Sequence, residues 1–119
     1  MSGFRVSRAA ADDIGEILEW SEEHFGAAAR VRYDALIRAA LRHASSDRTD
    51  GRFKSRPEIG DGVKSWHLAN SATQSRGERV KTPRHLLFCR DEDDLLAVGR
   101  VLHERMDPTL HVDPQTDWE

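Results

Sequence analysis

The chain of 119 residues has a single cysteine, Cys89, so no internal disulfide can hold it together and its cysteine usage fits a reducing compartment. No apolar run approaches the roughly 20 residues that a membrane span needs, and the N-terminus lacks the build of a signal peptide. Missing too are a phosphate-cradling glycine loop, a G-x-S-x-G elbow, an H-E-x-x-H helix and paired C-x-x-C motifs. The six histidines (24, 43, 67, 85, 103 and 111) form no short metal-ligand spacing. The reading is of a soluble, cytoplasmic chain with no metal, no cofactor and no membrane partner. Its length suits one modest core rather than two.

What is plentiful is charge, 33% of the residues, and it is unevenly placed. Residues 38–90 carry 12 Lys/Arg against 5 Asp/Glu, a balance of +7; the rest carry 6 against 16, a balance of −10, which together make the net −3. Such asymmetry fits a basic surface facing an acidic partner, although uneven helix faces produce it too, and charge alone does not make a nucleic-acid binder.

The pattern of elements is β-α-α-β-β-β. "FRVSR" (4–8) alternates as a short strand, and Ser7 precedes a helix in which Ala10, Ile14, Ile17 and Leu18 share one face. Asp12, Asp13 and Glu16 lie in its first turns, where the helix dipole favours acids, and Gly26 follows its end. A second helix over 27–45 carries the stripe Tyr33, Leu36, Ile37, Ala40 and Leu41. So short a link implies an antiparallel helical hairpin, and both stripes need a sheet to cover. Residues 46–62 read as an ordered loop anchored by Phe53 and Ile59. Three strands follow at 63–70, 84–91 and 94–103, the middle one apolar on both faces and so central, the last two joined by a tight acidic hairpin. The fold class is α+β, a helical hairpin packed on one face of a small, mainly antiparallel sheet. A single domain spans 1–112, and 113–119 form an acidic tail, docked or frayed.

Few residues suggest chemistry. His67, His85 and His103 each fall on a strand and can converge, and Cys89 reads as a packing residue rather than a nucleophile. Arg100 is more demanding. Strict alternation places it on the face of Leu96, Val98 and Leu102, where an unpaired guanidinium would cost several kcal/mol. It therefore lies at an open sheet edge, pairs with an acid from a helix, or forms the floor of a groove for a partner. Arg90 and Lys64 on the preceding strands join it in one patch only if register and face agree.

Taken in order, several stretches resemble the ParE toxins of bacterial type II toxin–antitoxin systems, within the RelE/ParE superfamily. They are "FRVSRAAADDIGEILEWSEEHFG", "RYDALIRAALRHAS", "SRPEIGDGVKSWHL" and "HLLFCRDEDDLLAVGRVLHERMDPTLH", with the Arg-Val-Leu-His-x-Arg-Met-Asp run the most specific. The resemblance spans roughly residues 4–112. It implies a growth-arresting, plasmid-stabilising toxin neutralised by a ParD-like antitoxin that wraps the hairpin and lies along the sheet. It also implies DNA gyrase as the target, blocked by binding with no catalytic residue, and operator DNA reached only through the antitoxin. The RelE branch, on the same fold, is instead a ribosome-dependent mRNA endoribonuclease, for which His67, His85, His103, Arg84, Arg90 and Arg100 would be the candidates. The expected antitoxin- or target-binding residues are Lys64, His67, Arg84, Arg90, Arg100, His103 and Arg105.

Overall fold

A computed structural model describes residues 3–119. The elements are β1 (Phe4–Val6), α1 (Arg8–Phe25), α2 (Ala27–Ser46), β2 (Lys54–Ser55), β3 (Lys64–His67), β4 (His85–Glu92), β5 (Leu95–His103) and a short α3 (Pro108–His111), with a 3-10 helix over Leu68–Gln74. The strands form one sheet in the order β1-β5-β4-β3-β2, with β1 parallel to β5 and every other pair antiparallel. The strand read as central from its two apolar faces is the middle strand. The 63–70 strand is shorter than its pattern suggests, because the chain turns into the 3-10 helix at Leu68, and the loop at 46–62 contributes the two-residue edge strand β2.

Local chemistry explains the helix ends. Ser7 caps α1 by accepting the Ala10 N–H at 3.0 Å, and its hydroxyl donates to the Gly99 carbonyl at 2.8 Å, so one small side chain starts the helix and ties it to β5. Gly26 breaks the two helices apart at φ +92°, a backbone state that costs glycine little. The helical hairpin covers one face of the sheet. Leu18, Leu36, Ile37, Leu41, Trp66, Leu68, Leu87, Leu96 and Val98 close that core.

The other face is covered as well. Ile59 and Val63 from the loop, and Val112 and Trp118 from the C-terminal segment, pack on Leu86, Phe88, Ala97 and Leu102. The acidic tail is docked: Trp118 is 5% exposed, and the Arg8 N–H donates to the Glu119 carbonyl at 3.0 Å.

A bulge changes the face of Arg100. Phe88 pairs with Arg100 but Cys89 with Val98, which leaves Gly99 as the extra residue. Alternation slips by one there. Leu96, Val98 and Val101 face the helices, whereas Ala97 and Leu102 face the tail. Arg100, paired with Phe88, lies on the tail side rather than with Leu96 and Val98, as strict alternation implies. Trp118 fills the space over the bulge, where a Cβ on Gly99 would come within 2.7 Å of its ring.

Candidate functional site

β1 pairs only with the first half of β5, so the second half would present a bare edge. Asp13 on α1 covers it. Its carboxylate accepts the Val101 N–H at 2.9 Å and both the Nε (2.7 Å) and Nη2 (2.9 Å) of Arg100. Arg100 Nη1 reaches Asp117 at 3.2 Å and also donates to the His111 carbonyl. The Asp117 carboxylate in turn accepts the Asp113 N–H at 2.7 Å. Arg100 thus joins strand, helix and tail, and Asp13 above all raises its already high pKa, so it stays charged. Of the alternatives open in the sequence, pairing with a helix acid is the one realised.

Lys64, Arg90 and Arg100 do not form one patch. Lys64 pairs in register with Cys89 on the helix side, and its Nζ lies 4.2 Å from the centre of the Phe53 ring and 3.2 Å from Asp91. Arg90 stands on the opposite face, stacked 4.6 Å from the centre of the Trp118 ring, and grips Glu92 with Nε at 2.9 Å and Nη2 at 2.7 Å. Glu92 also binds Arg5 at 2.7 Å, and with these two arginines its pKa lies below the usual carboxylate range, Arg5 having the larger effect.

The remaining candidates gather at the other end of the sheet, where β3 and β5 finish and β4 begins. His67 Nε2 lies 2.8 Å from Glu104 Oε2, and Arg84 Nη1 donates to Oε1 at 2.8 Å. Hydrogen bonding to His67 first, and then to Arg84, holds the Glu104 carboxyl down at about 2. The His85 and His103 rings stand edge to face at 5.1 Å, so the strand histidines do converge. Arg105 is exposed beside them. Tyr33 is drawn in from α2. Its hydroxyl accepts the Arg84 N–H at 3.1 Å and lies 2.5 Å from His85 Nδ1. Burial pushes the phenol up to about 12, so it keeps its proton. Burial, reinforced by His103, brings His85 down to about 4 and keeps it neutral.

The ring nitrogens follow from these contacts. Ala69 N–H donates to His67 Nδ1 at 3.0 Å, Arg105 N–H donates to His103 Nδ1 at 3.1 Å, and the Tyr33 hydroxyl engages His85 Nδ1. Nδ1 of His67 and of His103 is an occupied acceptor, so the neutral rings carry their proton on Nε2, and His85 Nδ1 is engaged by the Tyr33 hydroxyl. The cluster therefore offers N–H donors and guanidinium groups, with Glu104 as its one carboxylate, itself engaged by His67 and Arg84. Among the described residues no group of three or more His, Cys, Asp or Glu side chains could hold a metal ion.

Sequence reasoning did not single out Asp13, Tyr33 or Glu104 as site residues. Asp13 passed as a dipole-favoured acid and Tyr33 as a stripe residue. Glu104 stands next to His103 in the most specific motif, which was its only signal.

A two-helix hairpin on one face of a mixed five-stranded sheet, entered through a short parallel strand, is the architecture of the RelE/ParE-like toxins. Within that class, the family model of the ParE toxin of the type II toxin–antitoxin system, parDE, matches residues 4–108, and the chain belongs to this family. Comparison with curated proteins returns no match. No helix among the described residues is long and apolar enough to cross a membrane.

Proposed function

We propose that the chain is a toxin that acts by binding, arresting growth by inhibiting DNA gyrase, and that a ParD-like antitoxin neutralises it. The observation that carries this reading is the state of the histidine cluster. Cleaving RNA requires a base with a free lone pair to take the 2′-hydroxyl proton, and all three Nδ1 atoms are already engaged in a hydrogen bond. Glu104, held at about 2, is a weak base. N–H donors and arginines at the end of a sheet suit the recognition of carboxylates or carbonyls on a protein partner. His67, Arg84, His103 and Arg105 are the contact residues we assign there, whereas Lys64, Arg90 and Arg100 would act mainly by shaping the surface.

The hairpin end supports the antitoxin partner. At the end of α1 Trp20 stacks on His24 and meets Phe25 edge to face, with Trp20 53% and Phe25 68% exposed, and Val31 on α2 is 68% exposed. Bare aromatic surface at this density fits a segment that folds on binding. An acidic antitoxin would also complement the basic middle of the chain, and operator DNA would be reached through the antitoxin. Such a toxin works in the cytoplasm, stabilises its plasmid or locus, and needs no cofactor.

The ribonuclease reading draws on the same convergence of His67, Arg84, His85, His103 and Glu104, and the two are separated directly. Purified toxin is added to gyrase supercoiling and DNA-cleavage reactions and, in parallel, to a translation mixture. Stalled, cleaved DNA with intact messenger RNA is the expected result. Cut messenger RNA with unaffected gyrase would replace this proposal with the endoribonuclease.

A further inference from the structure

A second cationic site lies away from the sheet, on the outer side of α2. A shallow cavity of about 230 Å³ is lined by Ala35, Arg38, Arg42 and Arg76. A second cavity of about 230 Å³ shares Arg42 and is lined also by Ala39, His43, Ser46 and Gln74. The two form a groove between α2 and the end of the 3-10 helix with the residues just after it.

Three guanidinium groups border this groove with little to neutralise them. Arg38 holds Asp34 one turn back at 3.0 Å. Among the described residues, no carboxylate lies within 4.0 Å of the Arg42 or Arg76 guanidinium, and neither guanidinium makes a hydrogen bond. Arg38 and Arg42 are one turn apart, an arrangement that like-charge repulsion disfavours. The dipole of α2 explains Arg42 near the helix C-terminus. It does not explain Arg76, which arrives from a separate segment onto the same cavity and adds to the repulsion. An anion in the groove would relieve it.

We propose that this groove binds the sugar–phosphate backbone of nucleic acid. Guanidinium forks match phosphate oxygens in pairs. The apolar part of the lining is two alanines and the arginine stems, so the groove has no pocket for the apolar anchors that fix a peptide. The surrounding stretch carries the chain's +7 excess (12 Lys/Arg less 5 Asp/Glu over 38–90). Contacts of this kind carry no sequence information and would hold the toxin beside any nucleic acid that its target holds.

The test is fluorescence anisotropy of the full chain with labelled duplex DNA, single-stranded DNA and RNA oligonucleotides, and with a labelled polyglutamate peptide. Three phosphate contacts predict a slope of log K on log salt of about −2.7 for a duplex, or about 40-fold weaker binding at 200 mM than at 50 mM salt. Arg42→Ala/Arg76→Ala should weaken binding at least about 10-fold at 50 mM and cut the slope to about −0.9. Arg8→Ala/Lys54→Ala, with the same change in net charge, should do neither. The three oligonucleotides distinguish which nucleic acid is preferred. Absence of binding at 50 mM salt, equal weakening by both double variants, or polyglutamate binding with the same dependence on Arg42 and Arg76 would each overturn the proposal, the last in favour of an acidic peptide. No gyrase or ribosome enters this assay, so its outcome is independent of the toxin's target.

Discussion

Removing the Asp13 carboxylate tests how the second half of β5 is held. Asp13→Ala strips Arg100 of two charge-assisted bonds and leaves the Val101 N–H without its acceptor. Breaking a fully buried ion pair by deleting one partner costs about 3–5 kcal/mol. Here the Arg100 and Asp13 side chains are 19% and 11% exposed, and Asp117 remains as a second partner. The loss should therefore be smaller, about 2–3 kcal/mol. For a chain of this size that lowers Tm by about 10 °C. Urea unfolding followed by tryptophan fluorescence measures it, because Trp118 sits on the tail that Arg100 pins. Arg100→Met alone should cost a similar amount by leaving Asp13 and Asp117 facing each other's charge. Combining the two changes should cost about 2 kcal/mol less than their sum. A single Asp13→Ala loss under about 0.5 kcal/mol, or strict additivity in the double variant, would show that solvent replaces this carboxylate and that the network does not hold the edge.

Gly99→Ala places a methyl group 2.7 Å from the Trp118 ring, so the tail should lift, with a loss of about 3 kcal/mol and a red-shifted emission. Unchanged emission and stability would mean that the tail does not rest on the bulge. His85 is held at about 4 against an ordinary 6.5, so the folded chain binds fewer protons than the unfolded chain between those values. Stability should fall as pH drops from about 6.5 to 4, and His85→Asn should flatten that slope; the same slope in both proteins would remove His85 as its source. The Cys89 thiol is fully buried and burial pushes its pKa up, so Ellman's reagent should react only as fast as the chain unfolds, and rapid labelling of the native protein would contradict that burial.

Most of the fold was legible in local pattern. The stripes on α1 and α2, the Ser7 cap, the Gly26 break and the two-sided apolar run of β4 each express a rule that acts over a few residues. The candidate site was legible only in part. His67, Arg84 and His103 do come together, but His85 gets its partner from Tyr33, 52 positions earlier, and the cluster's acid, Glu104, had no periodicity to mark it. The groove on α2 joins Arg42 to Arg76 across a loop whose path no propensity specifies.

The face of Arg100 marks the boundary between the two levels. Composition and periodicity by themselves determined that two amphipathic helices cover a sheet with β4 at its centre, and the ordered motifs determined the family, because apolar spacing must match the period of the element that buries it. Only the tertiary structure decided that Gly99 is an extra residue, that Arg100 therefore leaves the face of Leu96 and Val98, and that Asp13 from α1 and Asp117 from the tail meet it at the strand edge. A bulge is chosen by what packs over it, and the ring that does so belongs to Trp118, 19 residues further along the chain.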